Sequence, residues 1–474
     1  MEALAAFLFH AFTGTILAYF CLLNGFYLFF IILSMFGLAR YRKINAFIPY
    51  KEIFSMPLIK PISILAPAYN EENSIVESVR SLLSLEYPQY EVIVVNDGST
   101  DNTLKCLIQS FDLVKTRWVF RKSVDTKPIR GIYRSFSNPK LIVVDKVNGK
   151  KADALNAGLN VSRYPLFSAI DGDSILEKDA LLKMVRPFIE DPERTMAAGG
   201  IIRLSNGCEV RSGQVVNIRT PRNWLARFQT LEYLRAFLGG RLGLNMLRSM
   251  LIVSGAFGLF RKDIALKCGG YRPETIGEDM DLVVRMRKYL HETETPYRMV
   301  YVPDPICWTE APESIRSLAN QRIRWHRGLV ESLMHSRKML FNPRYGITGL
   351  FAMPFYFLFE MIGPVIEVLG YSVFAALVAM GKINSPFALL FLLLAVVIGV
   401  FLSILAVLLG EYSARRYPKL SYVFIITLFG FLENIMYRQL ISVIRTKAFI
   451  DILRKKQEWG SIKKKGFSLA GDKT

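Results

Sequence analysis

Cysteine is scarce and scattered: there are five thiols in 474 residues, an odd number with no Cys-x-x-Cys among them. This excludes a disulfide framework and suits reduced thiols facing the cytoplasm. Four histidines share no ligand spacing, which argues against a zinc site. No zinc-finger, helix-turn-helix or aromatic RNA-binding signature is present either, so the net charge of +20 is not read as a nucleic-acid signal. Attraction to an anionic inner leaflet and to a polyphosphate substrate explains it with fewer assumptions. Charge is missing altogether from residues 13–39, a run long enough to cross a bilayer. Because no early positive charge or small-residue cleavage site accompanies it, it reads as a retained anchor.

What is present is apolar. Hydrophobic residues make up 51% of the chain, concentrated near the N-terminus and after position 346. Residues 371–380, 386–410 and about 420–443 are further membrane candidates. The stretch 346–370 carries Pro354, Glu360, Pro364 and Glu367, which suits an interfacial or broken helix better than a simple crossing. The expected organisation is an anchor over residues 1–45, a domain over 55–340, a membrane region over 345–450 and a basic tail over 451–474. No Lys or Arg precedes the anchor, whereas Arg40, Arg42 and Lys43 follow it, so the middle of a multi-pass plasma-membrane protein should be cytoplasmic. Arg415, Arg416 and Lys419 place the next loop inside, and the tail RKKQEWGSIKKKG is basic too. A single crossing over 420–443 would put that tail outside, so either this segment does not fully cross or a span is miscounted.

Between residues 61 and 171, apolar runs alternate with helical patterns. ISILAPAYNEE, EVIVVNDGSTD, LIVVDKVNGKKADALNAGL and LFSAIDGDS each begin as a buried strand and break into polar residues. Strands spaced by helices predict an α/β domain with a mostly parallel sheet, and ligands of such sheets bind beyond the carboxyl ends of the strands. That rule gathers Tyr69, Asn70, Glu71, Asp97, Gly98, Lys150, Lys151, Asp171 and Asp173 along one crevice. Each has a plain structural explanation alone, such as a helix cap or a tight turn. Acids and lysines ending every strand on one edge favour a site. Asp-x-Asp is a weak motif, expected by chance roughly once in a chain of about this length. It recurs at Asp279 and Asp281, where capping of an amphipathic helix would suffice.

QRIRW, from Gln321 to Trp325, is less ambiguous, since chance yields Gln-x-x-Arg-Trp on the order of once in a hundred such chains. Trp offers a flat apolar face to a sugar ring, and Arg a fixed fork for phosphate oxygens. The alternative is an interfacial helix anchored by Trp and basic residues.

In this order, Asp171-Gly172-Asp173, Gly277-Glu278-Asp279 and Gln321-Arg322-Ile323-Arg324-Trp325 resemble the motifs of family-2 glycosyltransferases. The likeness is to the membrane-bound processive branch of cellulose, chitin, hyaluronan and poly-N-acetylglucosamine synthases, and covers about residues 62–328. It implies a GT-A-like domain flanked by transmembrane and interfacial helices. It further implies a UDP-sugar donor (UDP-N-acetylglucosamine or UDP-glucose) and inverting transfer to a growing polysaccharide. Mg2+ or Mn2+ would sit on Asp171 and Asp173. Tyr69, Asn70, Glu71 and Asp97 would bind the nucleotide with Lys151, or its neighbour Lys150. Asp279 would be the general base and Arg324 would stabilise the leaving diphosphate. Ser254, Gly255, Gln321 and Trp325 would border the acceptor. The first aspartate-containing motif reads Asn96-Asp97-Gly98 rather than a double aspartate, and the membrane part is small beside cellulose synthase, which leaves export partner proteins open. Two other readings remain: a non-processive transferase with a lipid-linked acceptor, and a non-catalytic nucleotide-binding membrane transporter.

Overall fold

The computed structural model describes residues 2–45, 59–172, 174–211, 213–382, 384–413 and 420–454. Asp173 and the basic tail beyond 454 lie outside the described residues, and so do Arg415, Arg416 and Lys419.

Twelve strands are described. They are β1 (Ile62–Ala68), β2 (Tyr90–Asn96), β3 (Leu113–Thr116), β4 (Ile129–Ser135), β5 (Leu141–Lys146), β6 (Leu166–Ala169), β7 (Ile175–Leu176), β8 (Thr195–Leu204), β9 (Glu209–Arg211), β10 (Gln214–Asn217), β11 (Gly258–Arg261) and β12 (Arg298–Thr309). Ten of them form one sheet in the order β3-β4-β5-β2-β1-β6-β11-β8-β12-β7, and β9 and β10 form a hairpin. The middle strands β5, β2, β1 and β6 run parallel, as their unbroken apolar runs predicted. All seven residues of β2 are buried. Parallel pairing puts the carboxyl ends of these four strands on one edge. Antiparallel strands extend the sheet on both sides: β4 and β3 beyond β5, and β11 beyond β6. Further out, β8 and β12 pair parallel over most of their length.

The N-terminal helix is α1 (Glu2–Asn45), and the helices of the domain are α2 (Ile75–Leu83), α3 (Thr103–Ser110), α4 (Lys150–Val161), α5 (Ala180–Glu190), α6 (Trp224–Leu234), α7 (Leu242–Met246), α8 (Lys262–Lys267), α9 (Glu278–Glu292) and α10 (Ile315–His335). In α2, Ile75, Val79 and Leu82 fall on one face and are buried, which is why this stretch is helical. Asn223 caps α6 by accepting the Leu225 and Ala226 N–H groups, and Ser314 caps α10 by accepting that of Ser317.

Beyond α10 come α11 (Gly363–Ala379), α12 (Ser385–Leu392), α13 (Ile398–Ser413), α14 (Leu420–Leu432) and α15 (Arg438–Leu453). Among the described residues, three continuous helical runs are long and apolar enough to cross a membrane: Ala11–Ile44, Ser385–Ser413 and Ser421–Leu453, with mean hydropathy 2.3, 3.2 and 1.2. The stretch expected to be interfacial or broken is a helix pair, Thr348–Met361 and Gly363–Ala379, bent by 41°. The bend falls where Pro364 follows Gly363, the usual cause of a kink. α1 packs on the 235–241 π-helical turn, α7 and α13, and α15 packs along α10, so the apolar helices are continuous with the sheet domain.

Candidate active site

Lys151, the second residue of α4, organises the crevice. Its Nζ lies 2.6 Å from Asp171 Oδ1, just past the end of β6, and 2.8 Å from Glu278 Oε1 at the start of α9. Burial disfavours its charge, but Asp171 and Glu278 outweigh that and hold the ammonium above the ordinary lysine pKa. Glu278 is raised instead, chiefly by its own burial and only partly relieved by Lys151.

Asp279 sits next to this network. Its Oδ2 accepts the Gly255 N–H at 2.8 Å and its Oδ1 the Met280 N–H at 2.8 Å. A Cβ on Gly255 would stand 3.2 Å from Lys151 Nζ and 3.4 Å from Asp279, so glycine keeps this space clear. Asp281, the other half of the second Asp-x-Asp, is 1% exposed and paired with Arg272 and Arg285. The two acids of that motif therefore differ in kind: Asp281 is a structural carboxylate and Asp279 opens on the crevice.

The nucleotide-side candidates are held by turns that lock together. The Asn70 N–H donates to Ser99 Oγ, and Asn70 Oδ1 accepts from the Thr100 N–H, with Asn70 at φ 55°. The Glu71 N–H donates to Thr103 Oγ1, and Tyr69 is half exposed above this turn. Asp97 is buried: its Oδ1 lies 2.7 Å from Lys146 Nζ and accepts the Gly149 N–H. Lys146 is fully buried and also meets Asp153 at 2.8 Å. Asp97 thus fixes the loop that delivers Lys150 and Lys151, and Lys150 itself adopts φ 70°, a strained value for a lysine.

On α10, Gln321 and Arg322 are buried while Arg324 and Trp325 are exposed, Trp325 by 43%. The Arg322 guanidinium lies 4.1 Å from the Trp325 ring centroid, and the Tyr233 ring is 6.2 Å away. α10 meets the start of α9 backbone to backbone: a Cβ on Gly328 would fall 2.7 Å from Gly277 Cα. Glu331 reinforces the contact by accepting the Ile276 N–H at 3.0 Å. Gly328→Ala should therefore force α10 away from Gly277 and lower transfer and thermal stability together. Overpacking of this kind costs about 1–3 kcal/mol. An unchanged inactivation temperature and rate would show that the contact yields freely.

Sequence reasoning reached Asp171, Lys151, Gly255 and Asp279, and the structure brings these together. Ser254 adjoins Gly255 in the same loop. Sequence reasoning misses three participants: it gives Glu278 no role beyond its motif, and it does not single out Lys146 or Arg322. A lysine closing the apolar run LIVVDK was the available signal for Lys146, because such a charge needs buried partners.

A family model described as glycosyltransferase like family 2 matches residues 60–328, more than half of the chain. The chain belongs to glycosyltransferase family 2. A chitin synthase model also matches residues 274–436, which includes α9, α10 and the bent helix pair. Among curated proteins, the chain is 29% identical over 276 residues to a poly-beta-1,6-N-acetyl-D-glucosamine synthase of Staphylococcus epidermidis, covering 58% of this chain and 56% of that protein. It is 27% identical over 294 residues to the synthase of that name from Staphylococcus aureus strain MSSA476, covering 62% and 60%. The match thus spans a little over half the length of these relatives. The GT-A-like fold is shared with the mannosyltransferase PcManGT of Pyrobaculum calidifontis, solved in complex with GDP-Man and Mn2+. The TM-score is 0.54 and the identity 16%, over 92% of this chain and all of that one.

Proposed function

We propose that this family-2 glycosyltransferase is the membrane-bound, inverting transferase of a polysaccharide synthase. It would add N-acetylglucosamine, or glucose, from its UDP-sugar to a growing β-linked chain. The observation that carries this reading is the Asp279 carboxylate, held by the Gly255 N–H beside the Lys151–Asp171–Glu278 network. Asp279 would take the proton from the acceptor hydroxyl as its oxygen bonds to the anomeric carbon. The bond from that carbon to the phosphate oxygen breaks on the opposite face, and UDP leaves with the electron pair. One displacement turns an α-linked donor into a β-linked product, so no covalent glycosyl-enzyme intermediate is needed.

Tyr69, Asn70, Glu71 and Asp97 with its loop would receive the nucleotide, and Lys151 its phosphates. Arg324 would stabilise the departing diphosphate. Ser254, Gly255, Gln321 and Trp325 would border the acceptor. Asp171 fits a divalent cation, because it offers carboxylate oxygens where a cation, the Lys151 ammonium, already rests. Asp173 would be its second ligand by motif. Mg2+ or Mn2+ held there would supply positive charge to the diphosphate. Transfer should stop in excess chelator and return when either ion is added back. Full turnover in chelator would remove the metal from the reading.

The same proposal keeps the sheet domain, about residues 55–340, on the cytoplasmic side of the plasma membrane. α15 packs along α10 rather than standing apart from the domain, and its run has the lowest mean hydropathy of the three. That favours a segment 421–453 that does not fully cross, and so a basic tail that stays inside. A donor screen with purified protein tests the whole reading: UDP and β-linked product should form from UDP-N-acetylglucosamine or UDP-glucose. Single-sugar products on a lipid would point to the non-processive alternative, and absence of any transfer to the transporter.

A further inference from the structure

Glu232 and Tyr233, adjacent on α6, both bear on Trp325 by different routes. Tyr233 does so directly, ring against ring. Glu232 does so through Arg322: its Oε2 lies 2.7 Å from Arg322 Nη2, and that guanidinium in turn lies against the indole. Arg322 Nη1 also donates to Gln321 Oε1 at 3.2 Å. The Arg322 side chain is 3% exposed, so this carboxylate offsets the cost of burying its charge. A guanidinium is flat and its fork is directional, so fixing two of its nitrogens fixes the plane it offers to the ring above. The same Glu232 oxygen accepts the Tyr437 hydroxyl at 2.8 Å. Tyr437, Arg235, Glu367, Glu433 and Arg438 line a small cavity of about 90 Å3 among the apolar helices, and Glu232 forms part of its wall. One carboxylate therefore joins the Trp325 platform to that cavity.

We propose that Glu232 is a positioning residue for the acceptor: through Arg322 it holds the Trp325 ring in place and so sets how long the product grows. This rests on the reading of Trp325 as an acceptor platform. Neither Glu232 nor Arg322 belongs to the nucleotide-side set, so their loss should act on retention of product rather than on donor binding.

The test measures product length and the KM for the UDP-sugar in full-length, membrane-inserted enzyme for Glu232→Gln, Arg322→Lys and the double variant. Glu232→Gln should shorten the mean product roughly threefold or more while donor KM stays within about twofold, in line with the modest size of a cation–π contact. Arg322→Lys leaves Glu232 a charged partner but removes the flat face, and should shorten the product as well. The double variant should be no shorter than Arg322→Lys alone, because Glu232 acts through that residue. Independent, multiplying effects would overturn the proposal. So would wild-type length in Glu232→Gln when Trp325→Ala is short. If Glu232→Gln fails to insert, wild-type length in Arg322→Lys overturns it equally. Wild-type length in Trp325→Ala would instead defeat the platform reading itself, and the proposal with it.

Discussion

Asp279→Asn should bind UDP-sugar and transfer it at least about a hundredfold more slowly than the parent enzyme. The substitution keeps the size of the side chain and removes the base. The site also shows why a control is needed. Both carboxylate oxygens accept backbone N–H groups, from Gly255 and Met280, and asparagine has only one acceptor oxygen. One N–H would then face an amide NH2, a local cost of about 1–3 kcal/mol. Because that strain bears on the 255 loop as well as the reaction, calorimetric titration with UDP must accompany the rates. Retained UDP affinity with lost transfer assigns the loss to the missing base. A near-parental rate would leave Asp279 as a helix cap and place the base elsewhere.

Trp325→Ala should shorten products or stop elongation while donor binding changes little. Aromatic contacts are worth roughly 0.5–1.5 kcal/mol beyond burial, enough to raise chain release several-fold. The ring is 43% exposed, so truncation opens no cavity in the core and the protein should insert normally. Arg322 loses its stacking partner but keeps Glu232. An interfacial anchor makes the opposite forecast: poor insertion, with normal product length from the molecules that do insert. Length per inserted molecule separates the two.

The parallel half of the sheet was legible because β1, β2, β5 and β6 are local apolar runs, each ending in polar residues, and a crossover rule orders them. The edge that carries Asp97, Lys151 and Asp171 follows from that rule alone. The flanks were not legible. β11 joins β6, and β12 joins β8, by antiparallel or distant pairings that leave no periodic mark in either segment. The same holds for contacts that depend on three-dimensional approach, such as Gly277 against Gly328 or Glu232 under Arg322. Glu278 was visible in its motif, but only the fold shows that it faces Lys151 rather than merely beginning a helix.

The order of strands in the sheet also bears on how the domain is made. β6 gains its outer neighbour only with β11, about 90 residues later in the chain. At ordinary translation rates of about 5–20 residues per second, a nascent domain would hold the apolar edge of Leu166–Ala169 unpaired for roughly 5–20 seconds. The anchor helix has been synthesised by then, so that open edge waits close to the bilayer, where misplaced strand pairing would compete with closure. A weakened β11 would thus lower the yield of folded chains during synthesis before it impaired any finished enzyme.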